Sequence, residues 1–303
     1  MNVRDLQQHL ASRESESGGW GYASNQFSAE SSSLALLALQ PDDPALPGVR
    51  IESLTRKQLG DGCWPSADPG SPPGNWATAL AVNALLHLSP EHPASRSGLQ
   101  SLVDAKPQEA SCLWRLKFRT MDTHVRFDPA KYGWSWVPNA GSWVHPTAMA
   151  LIALERGRRF NFIRGKRVAS RMELGYAMLF DRMCAGGGWN AGNSSVYGVP
   201  LAPHVDATAI ALLALRLHYG RPKVKQSLSW LLSVECSSAY STAWRILAMQ
   251  SYRSVEAGLG PAIDNARQQL LRLAQQPGQI ADNSTLALTI FALKGDFKAF
   301  AIG

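Results

Sequence analysis

The chain has few cysteines and no long apolar run. The first argues against a disulfide-stabilised secreted protein, and the second argues against a membrane-spanning one. Four cysteines occur in 303 residues, and their spacing matches neither a disulfide framework nor a paired zinc motif. No segment is apolar over the length that a membrane-spanning helix needs, and no N-terminal stretch has the layout of a secretory signal. The expectation is therefore a protein of a reducing, cytoplasmic setting without membrane spans.

Signals for β-sheet and for nucleic-acid recognition are also missing. No alternation of apolar and polar residues indicates a ladder of strands. The formal net charge is +7, with a basic cluster from Arg156 to Arg171, but nothing resembles a DNA-reading helix or a base-stacking sheet. Nucleic acid is not expected as a partner. The cluster is open to three interpretations: a solvated helix face, a diphosphate contact, or an anionic membrane surface contact.

What the sequence does contain is an internal repeat, and the repeat predicts the fold. Six segments share an Ala/Leu-rich ending that is apolar nearly all round, which is typical of a helix buried on every side. Small alanine side chains let such helices approach one another closely. The six segments are residues 32–39, 78–85, 147–154, 208–215, 242–249 and 286–293.

A glycine–aromatic turn precedes four of these segments, and more polar, amphipathic stretches lie further upstream. Glycine supplies the positive φ that such turns need, and the Trp can fill the gap between adjacent repeats. The turns are residues 18–21, 61–64, 133–136 and 186–189, and the clearest amphipathic stretches are 49–59, 168–183, 224–232 and 261–273. Proline-containing stretches at 41–47, 65–74 and 138–141 are interpreted as loops within repeats.

The repeating unit is thus an amphipathic outer helix, a turn and a buried inner helix. Six such helix pairs predict an all-α fold, an α/α toroid (α6/α6 barrel) whose inner helices form the barrel and whose outer helices surround it. The length alone would suit two domains. Because a closed ring has no internal boundary, residues 1–303 are expected to form a single domain.

One turn carries a family resemblance. Gln58-x-x-x-Gly62-x-Trp64 matches the end of the "QW" repeat of squalene and oxidosqualene cyclases. With its Ala/Leu inner helices, the chain resembles the prenyltransferase/squalene-cyclase repeat family over essentially its whole length, at the level of repeat architecture.

A sharper likeness runs from Gly186-Gly-Gly-Trp189 to the helix start His204-Val-Asp-Ala-Thr-Ala209. In squalene-hopene cyclases and class II diterpene cyclases, a similar turn and polar loop lead into Asp-x-Asp-Asp-Thr-Ala, whose middle Asp is the Brønsted acid. That position is Asp206 here. His204 and Ala207 replace the outer carboxylates, and a single central Asp is also what oxidosqualene cyclases keep. The partner domain that closes the site of full-length cyclases does not occur in these residues.

The resemblance implies an isomerase that starts the cyclisation or isomerisation of a linear isoprenoid, or of its epoxide, by protonating it. No redox cofactor is implied, and Mg²⁺ is expected only for a diphosphate substrate. The implied partners are a hydrophobic isoprenoid and, at the barrel mouth, a partner domain or a peripheral contact with a membrane.

As an acid, Asp206 would have to be neutral. Apolar burial raises the pKa of a carboxyl group, whereas a helix N-terminus or a protonated His204 or His145 lowers it. The sequence leaves this balance open, and it also leaves open that Asp206 only caps its helix. His204 and His145 are interpreted as orienting or reprotonating Asp206. The alternative is that each is a loop residue whose hydrogen bonds are only structural.

The repeat also predicts where these side chains meet. His145 stands two residues before Thr147, as Asp206 stands two residues before Thr208. Glu30, Trp76 and Tyr240 hold the same position in their own repeats, so a ring of five side chains is expected at one barrel mouth. Aromatic faces there would stabilise carbocations. The predicted substrate-binding residues are Glu30, Phe27, Trp76, Trp134, Trp136, Trp143, Tyr197, Tyr240 and Trp244, whereas Trp64 and Trp189 are interpreted as packing residues of the repeat.

Two functions of other classes also fit. One is a non-catalytic toroid that binds a lipid or a partner protein. The other is a zinc-dependent subunit similar to the β subunit of protein prenyltransferases, with His204, Asp206 and His145 as ligands. The Asp-x-Cys element of that family is missing, and no Cys stands at the start of an inner helix, so no metal is expected.

Overall fold

The computed structural model describes residues 2–16, 18–22, 26–40, 47–67, 70–121 and 127–303. Within these ranges the chain is mostly helical. The α-helices are α1 (Val3–Ala11), α2 (Ala29–Ala38), α3 (Pro47–Thr55), α4 (Asn75–Leu88), α5 (Pro93–Asp104), α6 (Cys112–Met121), α7 (Val144–Arg159), α8 (Lys166–Asp181), α9 (Val205–Ala214), α10 (Pro222–Ser233), α11 (Ala239–Tyr252), α12 (Leu259–Leu273) and α13 (Asn283–Lys294). Short 3-10 helices cover Gln108–Ala110, Arg216–His218 and Lys298–Phe300.

The strands of the described ranges form only two short antiparallel hairpins. Strand β1 (Trp64–Pro65) pairs with β2 (Pro73–Gly74), with Trp64 opposite Gly74. Strand β3 (Ser195–Val196) pairs with β4 (Val199–Pro200). The first hairpin occupies the predicted loop 65–74, of which residues 68 and 69 lie outside the described ranges. The predicted loop 41–47 lies outside them too, apart from residue 47, where α3 begins.

The six Ala/Leu-rich segments lie in six inner helices that close into a barrel. In order around the ring these are α2, α4, α7, α9, α11 and α13; each packs against the next, and α13 packs against α2. Every residue is buried over 31–38 of α2 and over 207–214 of α9, as helices with neighbours on all sides require. The all-α toroid fold is therefore confirmed.

The outer ring consists of α1, α3, α5, α8, α10 and α12, which pack on α13, α2, α4, α7, α9 and α11, respectively. These helices are amphipathic: α12 buries Leu259, Ile263, Ala266, Leu270 and Leu273, at the spacing of one helix face. The predicted amphipathic stretches fall on outer helices, with shifted ends. Helix α3 stops at Thr55 instead of residue 59, because residues 59–63 already form the turn, closed by a bond from Gly62 N–H to the carbonyl of Leu59.

Four buried tryptophans join the outer helix of a repeat to the inner helix that follows. Their indole N–H groups donate to carbonyls at the ends of α1, α3, α5 and α8, in the pairs Trp20–Leu10, Trp64–Leu54, Trp134–Leu102 and Trp189–Leu179. Their backbone N–H groups donate to the hydroxyls of Ser32, Thr78, Thr147 and Thr208 on the inner helices. The glycine–aromatic turn is thus the joint of the repeat, and Trp134 belongs to it as much as Trp64 and Trp189 do.

The two ends of the barrel differ. The inner helices begin at one end, called the mouth below. The opposite end is closed by residues 298–302, whose side chains Ala299, Phe300 and Ile302 are buried. Arg156 and Arg159 donate to the backbone carbonyls of Ala299 and Ile302. Within the described ranges, no helix has both the length and the hydropathy to cross a membrane.

Candidate active site at the barrel mouth

Five inner helices carry a chemically distinctive side chain in their first turn, and the structure brings these side chains together. Glu30 of α2 accepts a hydrogen bond from Trp76 Nε1 of α4 at 2.8 Å. The Trp76 ring lies 6.1 Å from the imidazole of His145 on α7, whose Nε2 is 2.9 Å from Asp206 Oδ2 on α9. Tyr240 of α11 interacts electrostatically with both carboxyl groups. These five residues are called the mouth ring.

The repeat explains why these side chains face inward. In four of the inner helices, α2, α4, α7 and α9, the turn tryptophan holds a Ser or Thr hydroxyl toward the outer ring, as the Trp134 N–H holds that of Thr147. A residue two positions earlier is rotated by about 200° around the helix. His145 therefore faces the barrel interior, and Asp206 does the same relative to Thr208, whose hydroxyl binds the Trp189 N–H.

An aromatic wall surrounds the ring. Trp136 lies 5.5 Å from Trp76 and 5.9 Å from His145, between ring centroids. Trp244 lies 6.4 Å from Trp76 and 6.3 Å from Tyr240. Trp136 is 37% exposed at the rim, whereas Trp244 is fully buried and rests on Phe300, 5.4 Å below. The wall thus runs from the solvent to the segment that closes the far end of the barrel.

Glu30 is a carboxyl group placed to hold a proton. Burial is the largest influence and raises its pKa; the nearby Asp282 adds to this, whereas hydrogen bonds from Tyr22 and Trp76 and the charge of His145 oppose it. The net pKa shift is upward. Both hydrogen bonds end on Oε2, from Tyr22 Oη at 2.9 Å and from Trp76 Nε1 at 2.8 Å. Because Oε2 is saturated by two donors, the proton of neutral Glu30 belongs on Oε1, to which no hydrogen bond is found within the described ranges.

Asp206 has the opposite tendency. Burial is the largest single influence and would raise its pKa, but the hydrogen bond and charge of His145, a backbone N–H and the charge of His204 together lower it. Asp206 is then a carboxylate, so the neutral state that an acid requires is disfavoured by its own partner. It is not the N-cap residue of α9 either: that residue is His204, whose side chain makes no capping hydrogen bond.

His145 completes a proton-accepting pair with Asp206. Its side chain is 9% exposed. In the neutral imidazole, the tautomer whose Nε2 donates to ionised Asp206 Oδ2 has its lone pair on Nδ1. Nδ1 is buried and has no hydrogen-bond partner in the described part of the chain. An unsatisfied buried acceptor is unfavourable for stability, and such groups call for an explanation. The imidazole of His145 lies beside the rings of Trp76 and Trp136, so this unpartnered nitrogen belongs to the aromatic part of the mouth.

Five other predicted site residues are not brought into the mouth ring. His204 is exposed and lies 3.1 Å from the side-chain amide of Asn190 rather than bonding Asp206, although its charge lowers the pKa of that carboxyl. Trp134 is a joint of the repeat. Phe27 is buried beside Gly19 and lies under the Lys57 ammonium group. Trp143 is 40% exposed and packs against Gly192, and Tyr197 is 71% exposed in the β3–β4 turn. Their roles in substrate binding stay predictions from sequence.

Two contributors to the site, Asp282 and Phe300, are not predicted from sequence, and a third, Tyr22, is predicted only as one of the aromatic residues near the inner-helix starts. Tyr22 follows the turn of the first repeat and binds Glu30. Asp282 is the N-cap of α13, where it accepts a hydrogen bond from the Thr285 N–H, and the Asp-x-x-Thr spacing is a signal for this cap. Phe300 supports Trp244 from a distant part of the chain, and no local pattern signals that contact.

Two predicted alternatives lack the geometry they need. The zinc interpretation requires that His204, Asp206 and His145 converge, but His204 bonds Asn190, and no group of three or more potential metal-ligating side chains occurs within the described ranges. The diphosphate interpretation requires cations at the mouth. Arg156 and Arg159 lie at the opposite end, and Arg171 stacks on Trp134 at 3.5 Å. Among the described residues, no Lys or Arg side chain hydrogen-bonds or ion-pairs with the mouth ring.

No protein-family model matches the chain, and no curated protein matches it significantly. Among solved structures, it is similar to an inactive variant of an α-1,6-mannanase from Salegentibacter in complex with α-1,6-mannotriose, with TM-score 0.64, 9% identity and coverage of 98% of both chains. An α-amylase from Clostridium perfringens gives TM-score 0.60 and 10% identity over 97% of this chain and 98% of that chain.

The ent-copalyl diphosphate synthase from Streptomyces platensis is also similar, with TM-score 0.55 and 19% identity over 91% of this chain. The chain spans 50% of that synthase. At these identities the likeness shows the fold alone, and it does not assign the chain to the prenyltransferase/squalene-cyclase family.

Proposed function

We propose that the mouth is the active site of a class II terpene cyclase-like enzyme, which cyclises or isomerises a linear isoprenoid or its epoxide after protonating it. One observation carries the proposal. A carboxyl group disposed to hold a proton, Glu30, and a pair disposed to accept one, His145–Asp206, both contact Trp76 within one aromatic wall. A carbocation reaction that starts with protonation and finishes with deprotonation needs one group that donates a proton and another that accepts one.

The roles differ from those predicted by the family resemblance. Glu30 Oε1 donates its proton to the substrate, and the cation that forms is held over the faces of Trp76, Trp136 and Trp244. His145 Nδ1 then removes a proton from a neighbouring carbon, and the electron pair of that C–H bond forms the new C=C bond. Asp206 stabilises the resulting imidazolium. One proton enters and one leaves, so the product is an isomer of the substrate, and exchange with water restores both groups.

The same groups favour an epoxide as substrate. A carboxylic acid with a raised pKa is a weak donor, and an epoxide oxygen is more basic than a C=C bond. A diphosphate would meet the Asp206 carboxylate and no bound cation of the chain, so it would need Mg²⁺ at the mouth. The proposal also includes a contact surface at the mouth through which an isoprenoid would enter. The exposed aromatic rings there suit contact with a membrane surface or a partner domain, as aromatic side chains do at interfaces; they are Tyr22, Trp136, Trp143 and Tyr197.

The test is product analysis with a panel of linear isoprenoids, presented as hydrocarbons, terminal epoxides and diphosphates. Gas chromatography–mass spectrometry should detect a cyclic isomer with the wild type and with Glu173→Gln, which alters an exposed carboxyl on α8. Glu30→Gln should give none. Activity that survives in Glu30→Gln but not in Asp206→Asn would return the acid role to Asp206. No product from any substrate, with a lipid retained in the barrel, would support the non-catalytic binding toroid instead.

Glycoside hydrolysis is the second candidate, and a specific observation favours it. Glu30 with a raised pKa and Asp206 with a lowered one form the kind of divergent carboxyl pair that glycosidases use as acid and as base or nucleophile. The fold is shared with a mannanase over 98% of both chains. Against it, the polar groups of the mouth ring bind one another, which leaves few for sugar hydroxyls. Release of reducing sugar from α-mannan or α-glucan oligosaccharides, lost in Glu30→Gln and Asp206→Asn alike, would favour this candidate.

A further inference from the structure

A second pocket lies at the far end of the barrel, away from the mouth ring. It has a volume of about 380 Å³, opens to solvent, and is lined by the C-terminal turns of α4 and α7 and by the segment around residues 298–301. One side of its lining is basic, with His87, Arg156, Arg159 and Lys298, and another is apolar, with Leu86 and Phe160. The volume falls at the lower end of the range typical of small-molecule sites.

Arg156 is the unusual member of this lining. It is 5% exposed, yet no carboxylate of the described ranges forms an ion pair with it. Burial, followed by repulsion from Arg159, lowers the pKa of its guanidinium to about 10. Buried charges are normally paired. A buried guanidinium without an acid, directed into a pocket beside a second guanidinium, is a charge that an anion would neutralise.

The contacts of these arginines within the protein use only part of each guanidinium. Arg156 bonds the carbonyl and side-chain oxygens of Asn83 and the Ala299 carbonyl through Nη1 alone, and Arg159 bonds the Ile302 carbonyl through Nη2. These bonds tie the end of α7 to α4 and to residues 299–302. They do not occupy the remaining N–H groups, for which no hydrogen bond is found within the described ranges.

Other charges around the pocket do not cancel this excess. Asp296 is the nearby carboxylate, and it is engaged with His87, whose Nε2 lies 3.4 Å away, and with the backbone N–H of Lys298. His87 Nε2 also lies 3.1 Å from Gln40 Oε1. Two arginines and an exposed lysine therefore face the pocket against one carboxylate that already has partners.

We propose that this pocket binds the phosphate group of a small phosphorylated molecule, with Arg156, Arg159 and Lys298 holding the phosphate and with Leu86 and Phe160 against its apolar part. Planar guanidinium groups bind phosphate oxygens in pairs, and a doubly charged phosphate suits three cations better than a single carboxylate does. Because Arg156 and Arg159 also hold residues 298–302, a bound phosphate would stabilise the segment that supports Trp244 from below.

The experiment is titration of the purified chain with inorganic phosphate and with phenyl phosphate, by calorimetry and by thermal denaturation at constant ionic strength. Phenyl phosphate should bind more tightly than phosphate, because only its ring reaches the apolar wall. Lys298→Gln should weaken both affinities about tenfold, since a hydrogen bond to a charged group is lost. Arg158→Gln is the matched control: it removes an exposed cation that pairs with Glu155 on the same turn of α7, and affinity should not change.

Three results would overturn the proposal: no binding heat at millimolar phosphate, equal stabilisation by chloride, or equal weakening in Lys298→Gln and Arg158→Gln. Arg159→Gln should weaken binding further but could also loosen residues 298–302. The exposed Lys298 variant keeps the test decisive, because its side chain makes no hydrogen bond or ion pair within the described ranges.

Discussion

The two ends of the barrel are made by the same inner helices, yet they treat buried polar groups in different ways. At the mouth, the buried His145 Nδ1 has no hydrogen-bond partner in the described part of the chain, and both hydrogen bonds to Glu30 end on Oε2. At the far end, Arg156 and Arg159 bind backbone carbonyls and hold residues 298–302 in place. A buried polar group without a partner costs about 1–3 kcal/mol, so His145 Nδ1 carries such a cost at the mouth, whereas at the far end the bonds from Arg156 Nη1 and Arg159 Nη2 to backbone carbonyls offset part of the cost of burying these cations.

The tryptophans show the same division. Trp64, Trp134 and Trp189 direct their indole N–H groups to backbone carbonyls and tie helices together. Trp76 directs its N–H group to the carboxyl of Glu30, and Trp244 Nε1 is buried without a hydrogen-bond partner within the described ranges. The residue type is the same, and its position relative to the inner helix determines whether it packs the repeat or lines the site.

The largest expected effect is on turnover at the mouth. Glu30→Gln keeps an oxygen that can accept from Tyr22 and Trp76 but removes the transferable proton. If the proposed acid role is right, turnover should fall by about 10⁴-fold, the upper part of the range for general acid catalysis, with little change in thermal stability. Single-turnover product formation measures the effect, and Glu173→Gln serves as the control. Turnover within a few-fold of wild type would remove Glu30 from the mechanism.

The next largest effect is on stability, and here we expect substitution at the far end of the barrel to cost more than substitution at the mouth. Phe300→Ala should lower the free energy of unfolding by about 3–5 kcal/mol, because it opens a cavity under Trp244 and Phe291. Trp136→Ala at the rim should cost only about 1 kcal/mol, since its ring is already partly exposed. Urea denaturation compares the two variants. A Trp136 variant as destabilised as the Phe300 variant would mean that the mouth is part of the stabilising core.

The difference between the ends also explains what sequence reasoning can predict. The toroid follows from the six apolar segments and the turns, and the mouth ring from the constant two-residue offset before a buried Ser or Thr. The choice of acid does not follow, because it depends on contacts between residues 61 and 46 positions apart, His145 with Asp206 and Glu30 with Trp76. The contact of Phe300 with Trp244 also joins distant parts of the chain, so no local pattern predicts it. For Trp134 a signal did exist, since it holds the same turn position as Trp64 and Trp189.

A smaller effect separates the two classes of tryptophan. Trp134→Phe should destabilise the fold by about 1–3 kcal/mol, because the buried Leu102 carbonyl loses its donor. Trp76→Phe removes one of two donors that lower the pKa of Glu30, so that pKa should rise further. Because the acid must be protonated, the activity of Trp76→Phe should persist to higher pH than that of wild type. An unshifted pH–rate profile would show that Glu30 does not govern the reaction.

The smallest effect is in the pH dependence of stability, and it has opposite signs for the two carboxyl groups. The folded-state pKa of Asp206 is lowered below its ordinary value of 3.8. Its contribution to the free energy of unfolding is therefore complete above pH 3.8 and is lost as the pH falls through the folded-state pKa. The pKa of Glu30 is raised above 4.5, so its burial becomes unfavourable as the pH rises from 4.5 through the folded-state value. Urea unfolding of Asp206→Asn and Glu30→Gln from acid to neutral pH measures both.

Relative to wild type, Asp206→Asn should therefore lose stability as the pH rises, whereas Glu30→Gln should gain it. Matching trends in the two variants would contradict the assignment of one proton-holding and one proton-accepting group, because two carboxyl groups in equivalent surroundings respond to pH alike. Opposite trends would locate the asymmetry in the residues around each carboxyl: the imidazole of His145 beside Asp206, and the burial of Glu30 between Tyr22 and Trp76.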